Sequence, residues 1–135
     1  MAKIKNYSKF KNIFIRLAFQ QAKINLGSTG LNPSVGCIVE KNGSVISAGH
    51  TSLNGRPHAE FNALNKNINF SGSSIYTTLE PCSHFGKTPP CVNKIIEKKC
   101  KNVFFSLIDP DIKTSNRAKK KLKKKKNFSY FRLFK

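Results

Sequence analysis

The sequence predicts an α/β protein in which a mixed sheet is layered between helices. Three observations carry that reading. Helical and strand-like apolar patterns alternate along the chain. One hairpin signal, Asn42-Gly43, interrupts the alternation and makes the sheet mixed rather than all-parallel. The 135 residues are 39% apolar, enough for one core, with no internal repeat and no linker to suggest a second domain.

The elements follow in order. Phe10, Ile13, Phe14, Leu17, Ala18 and Ile24 fall near helical spacing, and Gly27 is a stop, so residues 10–24 read as the first helix. Residues 27–33, GSTGLNP, form a loop. VGCIVE (35–40) is a buried strand, and SVISAGH (44–50) is its antiparallel partner across the Asn42-Gly43 turn. A loop with Gly55 and Pro57 leads into a helix starting near His58, with Phe61, Leu64 and Ile68 on one face. SIYTTL (74–79) is the next strand. A helix starts at Pro89, with Val92, Ile95 and Ile96 inward. NVFFSLI (102–108) is another buried strand, ended by Asp109-Pro110. Residues 117–126 predict a short basic helix and residues 128–134 a last edge strand.

The bulk numbers exclude several classes. No run of eighteen apolar residues exists, so no membrane partner is expected. Arg16 and Gln20 interrupt the first apolar run, which argues against a secretory signal and for an ordinary first helix. Four cysteines without such a signal place the protein in a reducing cytoplasm, where cysteines near histidine serve metals or catalysis more often than disulfides. The net charge is +19, and residues 113–135 hold eleven Lys and Arg with no acid. That stretch has the footprint of a nucleic-acid binder. Lysine outnumbers arginine 21 to 4 and Asn, Ile and Phe are plentiful, a bias that fits solvated positions drifting to lysine. Nucleic acid is therefore not the expected partner.

The stretch PCSHFGKTPPC (81–91) reads as a metal site, a disulfide or a stiff loop that happens to hold thiols. Three elements bear on the choice: His58-Ala59-Glu60 at a helix start, Cys82 after Glu80-Pro81, and Cys91 at the next helix start. Three protein ligands with one open position is the catalytic arrangement of zinc, and one His with two Cys fits it. Both helix starts follow strand carboxyl ends, where open α/β sheets place their ligands. With His58 near a cap position, Glu60 can face the same pocket as a proton carrier rather than a ligand. That is the logic of zinc deaminases: water activated at the metal attacks a ring carbon bearing an amino group, and the glutamate carries the proton to the departing nitrogen. His-Ala-Glu alone and Pro-Cys alone are weak signals; together with a second Cys opening a helix they are strong. Cys37 and Cys100 read as small buried hydrophobes.

LNPSVGCIVE, the GH at 49–50, RPHAEFNAL and IYTTLEPCSHFGKTPPC resemble the deaminase domain of riboflavin biosynthesis, within the cytidine-deaminase-like superfamily. The resemblance covers residues 10–112, and the stretched Cys-x8-Cys spacing is its most specific part. It implies a three-layer α/β/α cytidine-deaminase-like fold, in which the five predicted strands form a mixed sheet. It implies zinc held by His58, Cys82 and Cys91, with Glu60 as proton donor and acceptor. Asn32, in the Asn-Pro motif, and His50 are implied as substrate contacts, and Lys87 has two readings, a phosphate contact or a solvated lysine. The implied substrate is a phosphoribosylaminopyrimidine, and a homo-oligomer is expected. Bacterial members commonly carry a second, reductase domain; the expectation from these 135 residues is a single deaminase domain, with the reductase step supplied by a separate polypeptide. Thr114-Ser115-Asn116-Arg117 stands where the family usually shows glycines. Two other readings remain open: a deaminase acting on tRNA adenosine or a cytidine-type nucleotide, and a non-catalytic zinc domain binding RNA through its basic end.

Overall fold

The structure is a computed structural model and describes residues 2–83, 86–108, 117–123 and 129–133. His84, Asp109, Pro110 and residues 114–116 lie outside them, as do the ends of the last predicted helix and strand. The described elements are α1 (Ala2–Ala22), β1 (Gly36–Lys41), β2 (Ser44–His50), α2 (Ala59–Leu64), β3 (Ser74–Leu79), α3 (Cys91–Glu97), β4 (Asn102–Leu107), α4 (Arg117–Lys123) and β5 (Ser129–Arg132). The strands form one mixed sheet in the order β2-β1-β3-β4-β5. β1 is antiparallel to β2 and β3, while β3, β4 and β5 run parallel. Asn42 (φ 54°) and Gly43 (φ 83°) both take positive φ, the two-residue turn that Asn-Gly favours between twisted strands.

Alternation along the strands divides the core between the two sheet faces. Ile38, Tyr76 and Phe104 stand in register on one face, under Phe14, Ile15 and Ala18 of α1. Tyr76 lies between Phe14 and Phe104, with ring centroids 5.2 and 4.8 Å away. Cys37, Val39, Ile75 and Val103 point the other way, against Ala59, Ala63 and Leu64 of α2, Val92 and Ile95 of α3, and Ala118 and Leu122 of α4. Cys37 and Cys100 are packed in that second cluster as small apolar groups.

Two expectations are corrected: α1 runs Ala2–Ala22 rather than over residues 10–24, and α2 is shorter than its apolar spacing suggests. The inward face of α1 is Phe14, Ile15 and Ala18, while Ile13, Leu17 and Ile24 are 44%, 40% and 55% exposed. The sheet receives a narrow stripe of α1, so flanking apolar residues stay wet. α2 ends at Leu64, where Asn65 leaves the helical region, and Ile68 therefore lies beyond the helix and is 39% exposed. Phe61 also sits at the helix flank, 37% exposed. Among the described residues no helix is long and apolar enough to cross a membrane.

Both inner helices meet the sheet at bare glycine. A Cβ on Gly36 would fall onto the carbonyl oxygen of Ala18 and stand 2.6 Å from the Ala22 nitrogen. A Cβ on Gly49 would fall onto the Ala59 carbonyl oxygen and stand 2.6 Å from the Ala63 nitrogen. The obstacle is backbone in each case, so relief requires moving a helix. Gly36→Ala is expected to destabilise the fold by about 3 kcal/mol, the upper end of overpacking costs, read as a lower urea midpoint at unchanged m.

The topology gathers one edge. β1 begins where β2 ends (Gly36 opposite His50), and both lie beside the carboxyl end of β3 (Cys37 opposite Thr77). The loop before β1, the end of β2, the start of α2 and the loop after β3 therefore share one side of the sheet.

Candidate metal centre

His58 caps α2 in extended conformation, so its ring leaves the helix toward the loop after β3 rather than joining the first turn. Cys82 follows Pro81 on that loop, and Cys91 is the first residue of α3, behind Pro90 at the cap. The two cysteine segments are stitched by backbone: Val92 N donates to Cys82 O at 3.2 Å, and Cys91 N donates to the Cys82 sulfur at 3.1 Å. His58 Nδ1 lies 3.8 Å from Cys82 Sγ and 3.5 Å from Cys91 Sγ. The three ligand atoms all lie within 4.8 Å of one another. With Zn–S near 2.3 Å and Zn–N near 2.0–2.1 Å, tetrahedral coordination separates a sulfur and a nitrogen ligand by roughly 3.5 Å. The donor set and its spacing fit zinc, with His58 offering Nδ1.

The charge state of the group suits a cation. Hydrogen bonding from Cys91 draws the Cys82 thiol down to about 4, with His58 and the Cys91 N–H adding to the effect. Cys91 is pushed well above the ordinary thiol value, because it donates to Cys82 and is buried. The hydrogen bond with Cys82 also raises His58 above its ordinary value. The pair thus shares one proton, with the thiolate resting on Cys82; a metal bound by both sulfurs would displace the proton that Cys91 keeps.

Glu60 lies in the first turn of α2 and is 4% exposed. Burial raises its carboxyl above the ordinary value, and the neighbouring Cys82 charge adds to the rise. The Thr77 hydroxyl of β3 stands 3.0 Å from Glu60 Oε1 and 3.0 Å from the Leu79 carbonyl oxygen, two acceptors for its one proton. A buried carboxyl with a raised pKa and a fixed orientation holds a proton more readily than a solvated one, which suits it to proton transfer. Thr77 is a residue that sequence reasoning missed, since a threonine in SIYTTL looks only like strand propensity. Thr77→Val leaves the shape and removes the donor, which raises Glu60 further. The expected result is about a tenfold fall in kcat, with the acid limb of the pH profile moved to higher pH.

Asn32 and His50 stand on the same sheet edge, and the structure shows each bonded within the fold. Asn32 Nδ2 donates to Gly55 O at 3.0 Å, pinning the loop before β1 to the loop before α2. His50 Nδ1 lies 3.2 Å from Gln21 Oε1 of α1. Asn62 of α2 donates to the His50 carbonyl at 2.8 Å, tying the end of β2 to the helix that carries Glu60. Beside the metal group is a cleft of about 340 Å³ lined by Pro57, His58, Phe61, Thr88, Pro90 and Cys91 among others. Neither Asn32 nor His50 lines that cleft.

A His-Cys-Cys zinc group with a buried glutamate at the carboxyl end of a mixed α/β sheet defines a zinc-dependent hydrolytic deaminase. The profile described as cytidine and deoxycytidylate deaminase zinc-binding region matches residues 8–107. A diaminohydroxyphosphoribosylamino-pyrimidine deaminase of Buchnera aphidicola subsp. Schizaphis graminum is 42% identical over 113 residues, 83% of this chain and 77% of that protein. Riboflavin biosynthesis protein RibD of Aquifex aeolicus is 40% identical over 111 residues, 82% of this chain but 31% of that protein. A crystal structure of a Thermotoga maritima diaminohydroxyphosphoribosylaminopyrimidine deaminase/5-amino-6-(5-phosphoribosylamino)uracil reductase superposes with a TM-score of 0.86 at 34% identity, over 93% of this chain and 37% of that one. The chain belongs to the cytidine and deoxycytidylate deaminase family, in its diaminohydroxyphosphoribosylaminopyrimidine deaminase branch. It spans about a third of the two longer relatives.

Proposed function

We propose that this chain deaminates 2,5-diamino-6-(5-phosphoribosylamino)pyrimidin-4(3H)-one by zinc-dependent hydrolysis, giving 5-amino-6-(5-phosphoribosylamino)uracil and ammonia in riboflavin biosynthesis. The observation that carries the reading is the convergence of His58, Cys82 and Cys91 within 4.8 Å, with Glu60 buried alongside. The substrate rests on relatives of about 40% identity that bear this activity in their names, over four fifths of the chain.

His58, Cys82 and Cys91 hold the metal. When bound, zinc supplies the Lewis acidity that makes water a competent nucleophile near neutral pH. Glu60 takes the proton from that water as its oxygen bonds to the ring carbon. It then delivers the proton to the amino nitrogen, and the carbon–nitrogen bond breaks with ammonia as leaving group. The raised pKa of Glu60 suits a group that must both accept and return a proton. Thr77 keeps one carboxylate oxygen fixed, leaving the other for the transfer. Asn32 and His50 contribute to the substrate side from the shared sheet edge.

The deciding experiment is ammonia release by zinc-loaded protein from the 2,5-diaminopyrimidine phosphoriboside, run beside cytidine, dCMP and tRNA. Turnover of the first alone supports the reading. Turnover of only a nucleotide or tRNA overturns the substrate while keeping the chemistry. Release from none, with one zinc bound per chain, overturns both.

A further inference from the structure

Arg56 has no part in the chemistry above, yet it stands two residues before His58 and reaches the loop that carries Cys91. Its Nη1 donates to Thr88 Oγ1 at 2.7 Å, across 32 residues of sequence. Among the described residues this is the only side-chain hydrogen bond that reaches residues 86–90. The bond holds the guanidinium against Thr88, which lines the cleft beside His58 and Cys91.

Three features suit this guanidinium to an anion. Among the described residues it has no carboxylate within ion-pair distance; the one ion pair there is Lys94 with Glu97. One of its five donors is occupied by Thr88, and the planar fork that remains matches phosphate oxygens. The Nη2 end of the fork lies beside Gly86, which brings no side chain of its own against it; a Cβ there would stand at ordinary contact distance, 3.6 Å.

We propose that Arg56, oriented by Thr88, binds the phosphate group of the substrate at the rim of the metal centre and so sets the preference for a phosphorylated over a phosphate-free pyrimidine. The inference rests on the substrate reading above for its ligand class, and its test has an arm independent of turnover. Zinc-loaded wild type, Arg56→Ala, Arg56→Lys and Thr88→Val are compared for binding of ribose 5-phosphate by calorimetry. They are also compared for kcat/KM on the phosphoriboside and on its dephosphorylated form, with zinc content measured throughout.

The expected result is ribose 5-phosphate binding about 10- to 100-fold weaker in Arg56→Ala, as loss of charge-assisted hydrogen bonds gives, with partial rescue by Arg56→Lys and a smaller loss in Thr88→Val. KM for the phosphoriboside rises by a similar factor, kcat changes little, and the dephosphorylated form is nearly indifferent. Equal losses on both pyrimidines would mean that Arg56 only straps the loop, and the proposal falls. Equal ribose 5-phosphate binding by wild type and Arg56→Ala, or none by wild type, also overturns it. If wild type turns over neither pyrimidine, the substrate reading fails, and the ribose 5-phosphate arm alone decides the role of Arg56.

Discussion

Glu60→Gln lowers kcat for ammonia release by about 10³- to 10⁴-fold, the span that a positioned general acid–base group supplies. The amide has the same shape and accepts the same Thr77 hydroxyl through its carbonyl oxygen, so the fold and the bound zinc persist. It cannot take a proton from water or return one to nitrogen. Substrate affinity is expected to change little, since the loss falls on a step made only in the transition state. Metal analysis, circular dichroism and single-turnover kinetics on one preparation check all three parts. A variant that keeps zinc and loses less than tenfold would remove Glu60 from the proton path.

Cys82→Ala produces the largest change in metal binding. The wild-type pair keeps one thiolate ready at Cys82, held by the Cys91 N–H at 3.1 Å and by His58. Removing it leaves two ligands and no preformed negative charge. Zinc at a thousandfold excess over its Kd stabilises the wild type by about 4 kcal/mol, roughly 10 to 20 °C of Tm for a chain of this size. In Cys82→Ala that increment collapses to a few degrees, and activity goes with it. Thermal melts with zinc and with chelator give the comparison directly. Cys37→Ala serves as the control, because Cys37 is packed in the core between sheet and helices; it lowers both melts alike and leaves the zinc increment in place.

The site was more legible than the packing around it. His58, Glu60, Cys82 and Cys91 declare themselves by residue type, and two of them open helices after strands, so chain order alone brings them to one edge. Thr77 and Arg56 do not declare themselves. Thr77 reaches Glu60 from a strand seventeen residues away, and Arg56 meets Thr88 across 32, so each depends on loop paths that no local pattern encodes. The strands were readable as apolar runs, and once the structure buries one residue on a face, alternation fixes the face of every other residue in that strand. The inward stripe of α1 was not, because Ile13 and Ile15 look equally apolar in sequence and only the docking angle decides which is covered; Ile15 is fully buried and Ile13 is 44% exposed. The end of α2 was missed for a related reason: Ile68 continues the helical spacing, but Asn65 breaks the helix first.

Gly36 and Gly49 seat helices on opposite faces of the same pair of strands, and each contact is main chain against main chain. A saturation library would be nearly empty at both positions, alanine included. Leu31 and Leu53, wholly or mostly in solvent on neighbouring loops, would accept almost anything. Variation in this scaffold is thereby channelled outward, to exposed positions such as Leu31 and Leu53, while the helix carrying His58 and Glu60 is indexed to the sheet with no adjustable spacer between.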